Sequence, residues 1–245
     1  MNKTLITSII LFFLIFSINA QKTVHFKAND GVKITADLYM TYNTKAPFII
    51  LYHQAGFSRG EYRSIAPKLN ELGFNCMAID QRSGKEVNGV INKTHLEAVK
   101  LNKPTEYIDA IPDIQAAYLY VKHGVKPDKI ILWGSSYSAA IVFFLGSTHY
   151  NGVDGILAFS PGEYFKINGK KIETYAKRIE CPVFITSAKN EKEQWKNIYN
   201  AIRKEKKSFL PNEIGKHGSK ALWKDNNNNE AYWAAVKDFL LKIKT

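Results

Sequence analysis

Residues 130–139 read IILWGSSYSA and carry the strongest structural signal in the chain. A short apolar run ends in the pattern Gly-x-Ser-x-Ser, and an apolar, alanine-containing segment follows from Ala139. This order predicts a buried strand, a sharp turn and a helix, with Ser136 at the apex of the turn. A serine held there projects its hydroxyl beyond the carboxyl end of a parallel sheet, and the N–H of the next residue begins the helix. Gly134 and Ser138 are small, as the close approach of backbone on either side of the serine requires.

Strand and helix patterns alternate along the rest of the chain. A hairpin is predicted around the turn Asn29-Asp30-Gly31, between residues 23–28 and 32–40. Further strands are predicted at residues 47–52, 74–79, 129–133, 153–159, 182–186 and 207–210, and helices at 62–72, 107–123, 139–145, 191–203 and 230–242. The helix at 107–123 is expected to be kinked or restarted at Pro112. Strands alternating with helices predict an α/β three-layer sandwich, in which a mostly parallel, twisted sheet of about eight strands has helices on both faces.

The composition fits one domain with an ample core. The chain has 245 residues, of which 45% are hydrophobic and 13% are aromatic, and a chain of this kind can bury one extensive core. The formal net charge is +12, which would suit nucleic acid, anionic glycans or membrane headgroups as partners. The lysines are scattered rather than striped, so we interpret the charge as a solvated surface and do not expect nucleic acid as a partner.

The first 20 residues are predicted to be a secretory signal peptide rather than part of the fold. Lys3 gives a short positive region, residues 5–16 are mostly apolar, and the small residue Ala20 precedes Gln21. The alternative is an uncleaved membrane anchor, but the apolar run is shorter than the roughly 18 residues that a membrane span needs. We therefore expect residues 21–245 to form a secreted or periplasmic domain without stable membrane insertion after cleavage.

The two cysteines are expected to be buried thiols. Cys76 lies in one apolar run and Cys181 begins another. Two cysteines in an exported protein suggest a disulfide, but the predicted topology places their strands too far apart for a bridge. No His or Cys pair has the spacing of a zinc site, and no phosphate-binding or dinucleotide-binding motif occurs. We therefore expect no metal and no cofactor.

Two pairs of polar residues are interpreted as structural. Ser58 and Glu61 have the spacing of a capping box, in which the acidic side chain bonds back to the first residue of the helix. Asp80 and Arg82 follow a predicted strand, and we expect them to form a salt bridge with each other.

The elbow around Ser136, set among alternating strands and helices, resembles the α/β-hydrolase superfamily over nearly the whole of residues 21–245. Within that superfamily the chain is similar to the small, lidless dienelactone-hydrolase and esterase branch. The resemblance implies a serine nucleophile, a later acid and a last histidine, in that order along the chain. It also implies an oxyanion loop after the third strand.

The oxyanion loop corresponds to His53-Gln54-Ala55-Gly56, where many members of the superfamily carry His-Gly-x-Gly. We expect the backbone N–H groups of Ala55 and Tyr137 to bind the developing oxyanion. Gln54 is a further candidate donor, through either its backbone or its side-chain amide. His53 is interpreted as a structural brace for the loop.

The base and the acid are expected in loops after later strands. His217 lies in Gly215-Lys216-His217-Gly218, where the flanking glycines leave room for the ring to turn toward Ser136. Glu191 stands where family members often show the Asp of a Gly-x-x-Asp pattern, although it also fits the first turn of the next helix. Glu163, which follows the preceding strand, is the alternative acid.

These residues predict an exported serine hydrolase that cleaves an acyl ester of a small molecule through an acyl-enzyme. An acyl-peptidase or a carbohydrate deacetylase is the alternative within the same fold. A non-catalytic binding protein on a hydrolase scaffold is the alternative from another class, because Gln54, Ser138 and Glu191 depart from the usual motifs. The oligomeric state stays open.

Overall fold

An eight-stranded sheet runs through the centre of the protein. The computed structural model describes residues 21–244, so the signal peptide predicted at residues 1–20 lies outside the described residues. The strands of the main sheet are β1 (Gln21–Lys27), β2 (Lys33–Tyr39), β3 (Phe48–Tyr52), β4 (Asn75–Ile79), β7 (Ile130–Ser135), β8 (Gly155–Phe159), β9 (Val183–Thr186) and β10 (Lys206–Phe209). A separate hairpin consists of β5 (Glu86–Val87) and β6 (Val90–Ile91).

The sheet is parallel except at one edge. Its strand order is β1-β2-β4-β3-β7-β8-β9-β10. Strand β2 is antiparallel to β1 and to β4, and all the other pairings are parallel. The predicted opening hairpin and the mostly parallel sheet are therefore confirmed. Because the carboxyl ends of β3, β7, β8 and β9 meet at one edge, the loops after these strands form a common surface.

Helices cover both faces of the sheet. They are α1 (Ala66–Glu71), α2 (Lys93–Lys100), α3 (Ile111–Leu119), α4 (Tyr137–Thr148), α5 (Ile172–Ala176), α6 (Lys192–Ala201) and α7 (Asn229–Lys244). Helices α3, α4, α5 and α6 contribute to the core on one face, and α1 and α7 contribute to the core on the other. No helix within residues 21–244 is long and apolar enough to cross a membrane.

Strand β7 is buried along its whole length because it lies between these two cores. Leu132 faces the core that contains α4, whereas Ile131 and Trp133 face the core that contains α7. The Trp133 ring stacks on Phe159 with ring centroids 4.7 Å apart. Burial on both faces explains why the strand reads as a continuous apolar run rather than as alternating residues. The strand before Ser136 is thus held rigidly at the middle of the sheet.

Two helical predictions needed adjustment. The helix predicted at residues 107–123, with a kink or restart at Pro112, begins as a 3-10 turn (Ile108–Ala110) and continues as α3 from Ile111. Pro112 lies in the first turn of α3, where a missing N–H leaves no hydrogen bond unmade. The helix predicted at residues 62–72 is shorter, because a 3-10 turn (Arg59–Tyr62) precedes α1.

The expected salt bridge between Asp80 and Arg82 is wrong. Asp80 pairs with Arg59 at 2.7 Å, and burial raises the pKa of Asp80 to about 6 in spite of that partner. Arg82 instead pairs with Asp113 at 2.6 Å and with Asp30 at 2.7 Å. The guanidinium has five N–H donors and can serve two carboxylates at once. It therefore ties the opening hairpin turn to α3, a contact between segments far apart in the sequence.

Both cysteines are free and buried, as predicted. Cys76 lies in β4 and Cys181 lies just before β9, and β3, β7 and β8 separate these strands in the sheet. Burial raises the pKa of Cys181 to about 12, so this thiol is protonated and unreactive near neutral pH.

Candidate active site

Ser136 lies between the end of β7 and the start of α4 in a strained backbone conformation. Its φ is 60° and its ψ is −122°, a combination that residues other than glycine rarely adopt and that surrounding structure must hold in place. A Cβ at Gly134 would lie 2.5 Å from Ala139 Cα, so the close approach of strand and helix requires glycine there. The Ser136 N–H donates to Phe159 O at 2.8 Å, which fixes the turn against β8.

Ser138 occupies the position of the second glycine in the usual elbow motif, and its side chain is buried and hydrogen bonded. Its Oγ accepts the Ser135 N–H at 2.9 Å. The same hydroxyl lies 2.8 Å from Tyr52 O and 2.9 Å from Ser135 O, the two acceptors available to its proton. The hydroxyl thereby ties the elbow to the end of β3, so this departure from the motif adds contacts that glycine could not make.

The imidazole of His217 and the carboxylate of Glu191 are hydrogen bonded, with Nδ1 and Oε1 2.6 Å apart. The other oxygen, Oε2, accepts the Ser160 hydroxyl at 2.7 Å and the Ala188 N–H at 3.1 Å. Burial by itself raises the pKa of Glu191, but the hydrogen bonds from His217 and Ser160 outweigh it and hold the pKa below its usual range. An ionised Glu191 accepts the Nδ1 proton, and Nε2 is then the free acceptor of the ring.

The loop that carries His217 is hydrogen bonded to the end of β7 and to the loop that follows β8. The Gly218 N–H donates to Ser160 Oγ at 2.8 Å, and the Ser219 N–H donates to Ser135 Oγ at 2.9 Å. A Cβ at Gly218 would lie 2.5 Å from Gln54 Oε1 and 2.6 Å from Ser135 Oγ, and its φ is 68°. Glycine is therefore required next to His217 for both space and backbone conformation.

Ser136 and His217 are not hydrogen bonded to each other in the described part of the chain. The Ser136 side chain instead contacts the hydroxyl of Tyr164. That hydroxyl donates to Ser160 O at 2.7 Å. Hydrogen bonds of catalytic groups are often absent or long without substrate.

Glu163, the alternative acid, serves a different element. Its two carboxylate oxygens accept the N–H groups of Ile172 and Glu173 at 2.7 and 2.8 Å. These are the first two residues of α5, whose N–H groups lack partners within the helix. Glu163 thus caps α5, and among the described contacts it does not reach His217.

The backbone N–H groups expected to bind an oxyanion are available at two positions. Neither Ala55 nor Tyr137 donates its N–H to an acceptor within residues 21–244. The backbone N–H of Gln54, however, donates to Glu61 Oε2 at 2.7 Å. The expectation that the Gln54 backbone could serve as a donor is therefore wrong, and only its side-chain amide remains. The Gln54 Oε1 atom is buried without a hydrogen-bond partner in the described part of the chain.

His53 braces the loop that carries Ala55. Its Nε2 lies 2.9 Å from the Gln81 N, and its Nδ1 lies 2.7 Å from Gln54 O. A backbone N–H can only donate, so Nε2 is unprotonated and the Nδ1–H donates to the Gln54 carbonyl. Burial lowers the pKa of His53 to about 4, so the ring is neutral. Because the C=O and N–H of a trans peptide point in opposite directions, holding the Gln54 carbonyl turns the Ala55 N–H away from His53.

No protein-family model and no curated protein matches this sequence, but solved structures match its fold. An esterase from Pyrococcus furiosus superposes with a TM-score of 0.70 at 17% identity over 92% of this chain and 93% of that chain. Dienelactone hydrolase from Anabaena variabilis gives 0.71 at 11% identity over 91% and 97% of the two chains. Est1E from Butyrivibrio proteoclasticus, with bound ferulic acid, gives 0.68 at 18% identity over 89% and 98%.

The chain has an α/β-hydrolase fold. The resemblance to the dienelactone-hydrolase and esterase type is thereby confirmed at the level of fold. Identities of 11% to 18% carry no residue roles with them, so the chemistry of this protein follows from its own side chains.

Glu61 is a site residue that sequence patterns did not reveal. Its Oε2 accepts the Gln54 N–H and its Oε1 accepts the Ser135 hydroxyl, each at 2.7 Å. The capping-box interpretation is wrong, because Ser58 caps the 3-10 turn alone by accepting the Gly60 N–H at 3.1 Å, and the tight turn directs Glu61 inward. The sequence contained one hint, an acidic residue directly before the apolar helical face that begins at Tyr62.

Two tyrosine rings lie at the mouth of the candidate site. Tyr107 is 43% exposed and stacks on Tyr137 with ring centroids 5.0 Å apart. Tyr164 is 37% exposed and touches Ser136. Burial raises the pKa of Tyr164 to about 12, so its hydroxyl is protonated near neutral pH. The approach to Ser136 is therefore partly aromatic.

Within residues 21–244 no three His, Cys, Asp or Glu side chains cluster as ligands for a metal ion.

Replacing Gly134 by Ala is expected to destabilise this protein by about 3 kcal/mol, because the new Cβ would overlap the backbone of Ala139. Urea unfolding followed by circular dichroism measures the change. The matched control is Gly124→Ala, where a Cβ meets nothing within 4 Å and the change should stay below about 1 kcal/mol. Equal free energies of unfolding for the two variants would contradict the close approach of β7 and α4.

Proposed function

We propose that this protein is a serine hydrolase that cleaves an acyl ester of a small molecule, with Ser136 as nucleophile, His217 as base and Glu191 as acid. The observation that carries the proposal is the 2.6 Å hydrogen bond between His217 Nδ1 and Glu191 Oε1. The loop that carries His217 is hydrogen bonded through Ser219 to the residue before Ser136. A base oriented by an acid beside an activated serine is the arrangement that nucleophilic acyl transfer requires.

In the proposed acylation step, the Ser136 hydroxyl donates to Nε2 of His217. The nitrogen takes the proton as Oγ attacks the ester carbonyl carbon, and the ionised Glu191 stabilises the imidazolium that forms. The carbonyl oxygen becomes an oxyanion facing the Ala55 and Tyr137 N–H groups, the latter at the positive end of α4. His217 then protonates the departing alkoxide as the ester C–O bond breaks.

In the proposed deacylation step, water replaces the alcohol next to the acyl-enzyme on Ser136. His217 takes a proton from the water, whose oxygen attacks the acyl carbon. The same N–H groups hold the second oxyanion. Collapse releases the carboxylic acid and returns the proton to Ser136 Oγ, so the cycle needs no group beyond this chain and water.

The fold neighbours and the tyrosine rings support an ester substrate. The matching structures include proteins named as esterases and a dienelactone hydrolase, and those activities are theirs. In this chain the exposed faces of Tyr107 and Tyr164 favour a substrate with an apolar or aromatic group next to the reacting carbonyl. An acyl-peptidase and a carbohydrate deacetylase share the same acyl chemistry and differ only in the leaving group.

A fluorophosphonate probe is expected to label the purified protein at Ser136, and Ser136→Ala should abolish both labelling and turnover. His217→Ala should lower kcat on the order of 10³-fold, because the three side chains act as a unit. Initial rates on p-nitrophenyl esters, peptide amides and acetylated sugars identify the leaving group. Correctly folded protein that neither labels nor turns over any of these substrates would favour the non-catalytic binding protein.

Glu191→Gln and Glu163→Gln form a matched pair that tests the acid. Glu191→Gln should lower kcat roughly 10³-fold, because the amide cannot stabilise the imidazolium and favours the wrong ring tautomer. Glu163→Gln should leave kcat within about threefold and lower the melting temperature slightly, since it weakens the cap of α5. Steady-state kinetics and thermal melts of both variants show which carboxylate acts as the acid. A large loss of kcat in Glu163→Gln with little change in Glu191→Gln would assign the acid to Glu163.

We also propose that residues 1–20 are removed on export, so that the enzyme acts as residues 21–245 in a secreted or periplasmic location. The support is the order of a positive, an apolar and a small-residue segment before Gln21. Amino-terminal sequencing of protein recovered from outside the cytoplasm should begin at or near Gln21. Recovery of the full chain in the membrane fraction would favour the uncleaved anchor.

A further inference from the structure

A buried carboxylate lies beneath the proposed site and belongs to none of its reacting groups. Glu61 is 0% exposed. It is the centre of a polar cluster, here called the Glu61 cluster, that consists of Gln54, Glu61, Ser135 and Ser219. These residues come from four segments, namely the oxyanion loop, the 3-10 turn before α1, the end of β7 and the histidine loop.

The hydrogen bonds of the cluster connect the oxyanion loop, the elbow that carries Ser136 and the loop that carries His217. Glu61 Oε2 accepts the Gln54 N–H at 2.7 Å, one residue before Ala55. Glu61 Oε1 accepts the Ser135 hydroxyl at 2.7 Å, one residue before Ser136. Ser135 Oγ in turn accepts the Ser219 N–H at 2.9 Å, two residues after His217. One carboxylate thus holds the loop of the oxyanion donor against the nucleophile elbow.

Among residues 21–244, no cationic side chain is hydrogen bonded or ion-paired to the Glu61 carboxylate. The two nearest cations along the chain are directed elsewhere, Arg59 at Asp37 and Asp80 and Arg63 at the carbonyl of Asn88. The titratable groups that face the Glu61 carboxylate are His217 and Lys220 from the histidine loop, Tyr137 from α4 and the neighbouring Tyr62. None of them is hydrogen bonded to the carboxylate in the described part of the chain.

Burial of an unpaired carboxylate is unfavourable for folding. Burial raises the pKa of Glu61 to about 7, with the hydrogen bonds from Ser135 and Gln54 acting in the opposite direction. Between about pH 4.5 and 7 the folded protein retains a proton that the unfolded chain has lost. The free energy of unfolding therefore falls as the pH rises through this window, and the loss is complete above it.

We infer that the ionised carboxylate of Glu61 is a positioning residue, which orders the oxyanion loop and the elbow so that the Ala55 and Tyr137 N–H groups converge on the reacting carbonyl. This inference rests on the proposed function. The carboxylate accepts two hydrogen bonds without donating any, which suits its two donors. It acts through the backbone of Gln54 and the side chain of Ser135 and does not touch the substrate.

Protonation of Glu61 weakens this arrangement. A protonated carboxyl presents an O–H at Oε1, where the partner among the described residues is Ser135. Ser135 Oγ accepts the Ser219 N–H with one lone pair and can take the carboxyl proton only with the other. The Ser135 hydroxyl must then turn away and lose its acceptor. Hydrogen bonds to the neutral carboxyl are also about half as strong as those to the carboxylate. The oxyanion loop is therefore held less firmly below the pKa of Glu61 than above it.

The test compares wild type with Glu61→Gln, a neutral side chain of nearly the same shape that mimics the protonated state at every pH. With p-nitrophenyl acetate as substrate, the wild-type kcat should exceed that of Glu61→Gln about tenfold at pH 8. The ratio should approach one below about pH 6, because both proteins then carry a neutral group beside Gln54. The values of KM should stay similar, since the oxyanion contacts strengthen in the transition state.

Stability should change in the opposite direction to activity. The melting temperature of Glu61→Gln relative to wild type should rise between pH 5 and pH 8, since only wild type must bury a charge at the higher pH. A side chain with a purely structural role would instead lose stability on replacement. A difference in melting temperature that is constant with pH would overturn the inference.

Two further variants complete the design. Glu61→Asp keeps the charge but shortens the reach, and it should lower kcat about tenfold at every pH because it cannot hold both donors. The matched control Glu71→Gln, at the exposed end of α1, should leave kcat unchanged. A ratio of wild type to Glu61→Gln that is constant with pH, or full activity of Glu61→Asp, would overturn the inference alone. Absence of Ser136-dependent turnover in wild type would overturn the proposed function and the inference together.

Discussion

The strained backbone of Ser136 is the constraint on which the rest of the structure depends. A positive φ at a residue with a side chain is unfavourable by roughly 1–3 kcal/mol and persists only when its surroundings hold it. Here β7 lies buried between two cores, the missing Cβ of Gly134 lets α4 approach, and the Ser136 N–H is fixed to Phe159 O. The strain has a chemical consequence, because it exposes the hydroxyl and the first N–H of α4 at the same point. Sheet, helix and turn are thus organised around a single residue.

The loops around this elbow are held by buried side chains rather than by regular secondary structure. His53 holds the carbonyl of Gln54, and Glu61 holds the N–H of the same residue. Gln54, which directly precedes Ala55, is therefore restrained at both of its backbone polar groups. Ser160, whose φ is 52°, joins Glu191 to the backbone next to His217. A loop has no hydrogen-bond ladder of its own, and side chains must take over that task. Preorganisation of this kind is favourable for catalysis and unfavourable for stability, as the unpaired charge of Glu61 illustrates.

Sequence patterns predicted the strands of the sheet correctly. Ser136, His217 and Glu191 lie in loops that follow strands, and their roles stay predictions. The sequence patterns failed where partners come from distant segments. Asp80 and Arg82 are near neighbours in the chain, yet each pairs with a residue more than twenty positions away. Glu61 has the spacing of a local cap, yet its carboxylate bonds to Gln54 and Ser135. The spacing of residues in the sequence shows which local contacts are possible. It does not show whether a side chain will bond to a near neighbour or to a residue from a distant segment.

The amino-acid sequence by itself determined the α/β architecture. Continuous apolar runs indicate strands that are buried on both faces, and apolar residues at helical spacing indicate helices that are buried on one face. It also determined the elbow, since only small residues permit that turn. The tertiary structure alone decided which carboxylate meets His217, because Glu163 and Glu191 both follow strands at the same edge and differ in which N–H groups lie nearby. It likewise decided that the Gln54 N–H is bound and the Ala55 N–H is free. Hydrogen-bond direction depends on the orientation of individual peptide groups, and that orientation is set by packing between segments far apart in the chain.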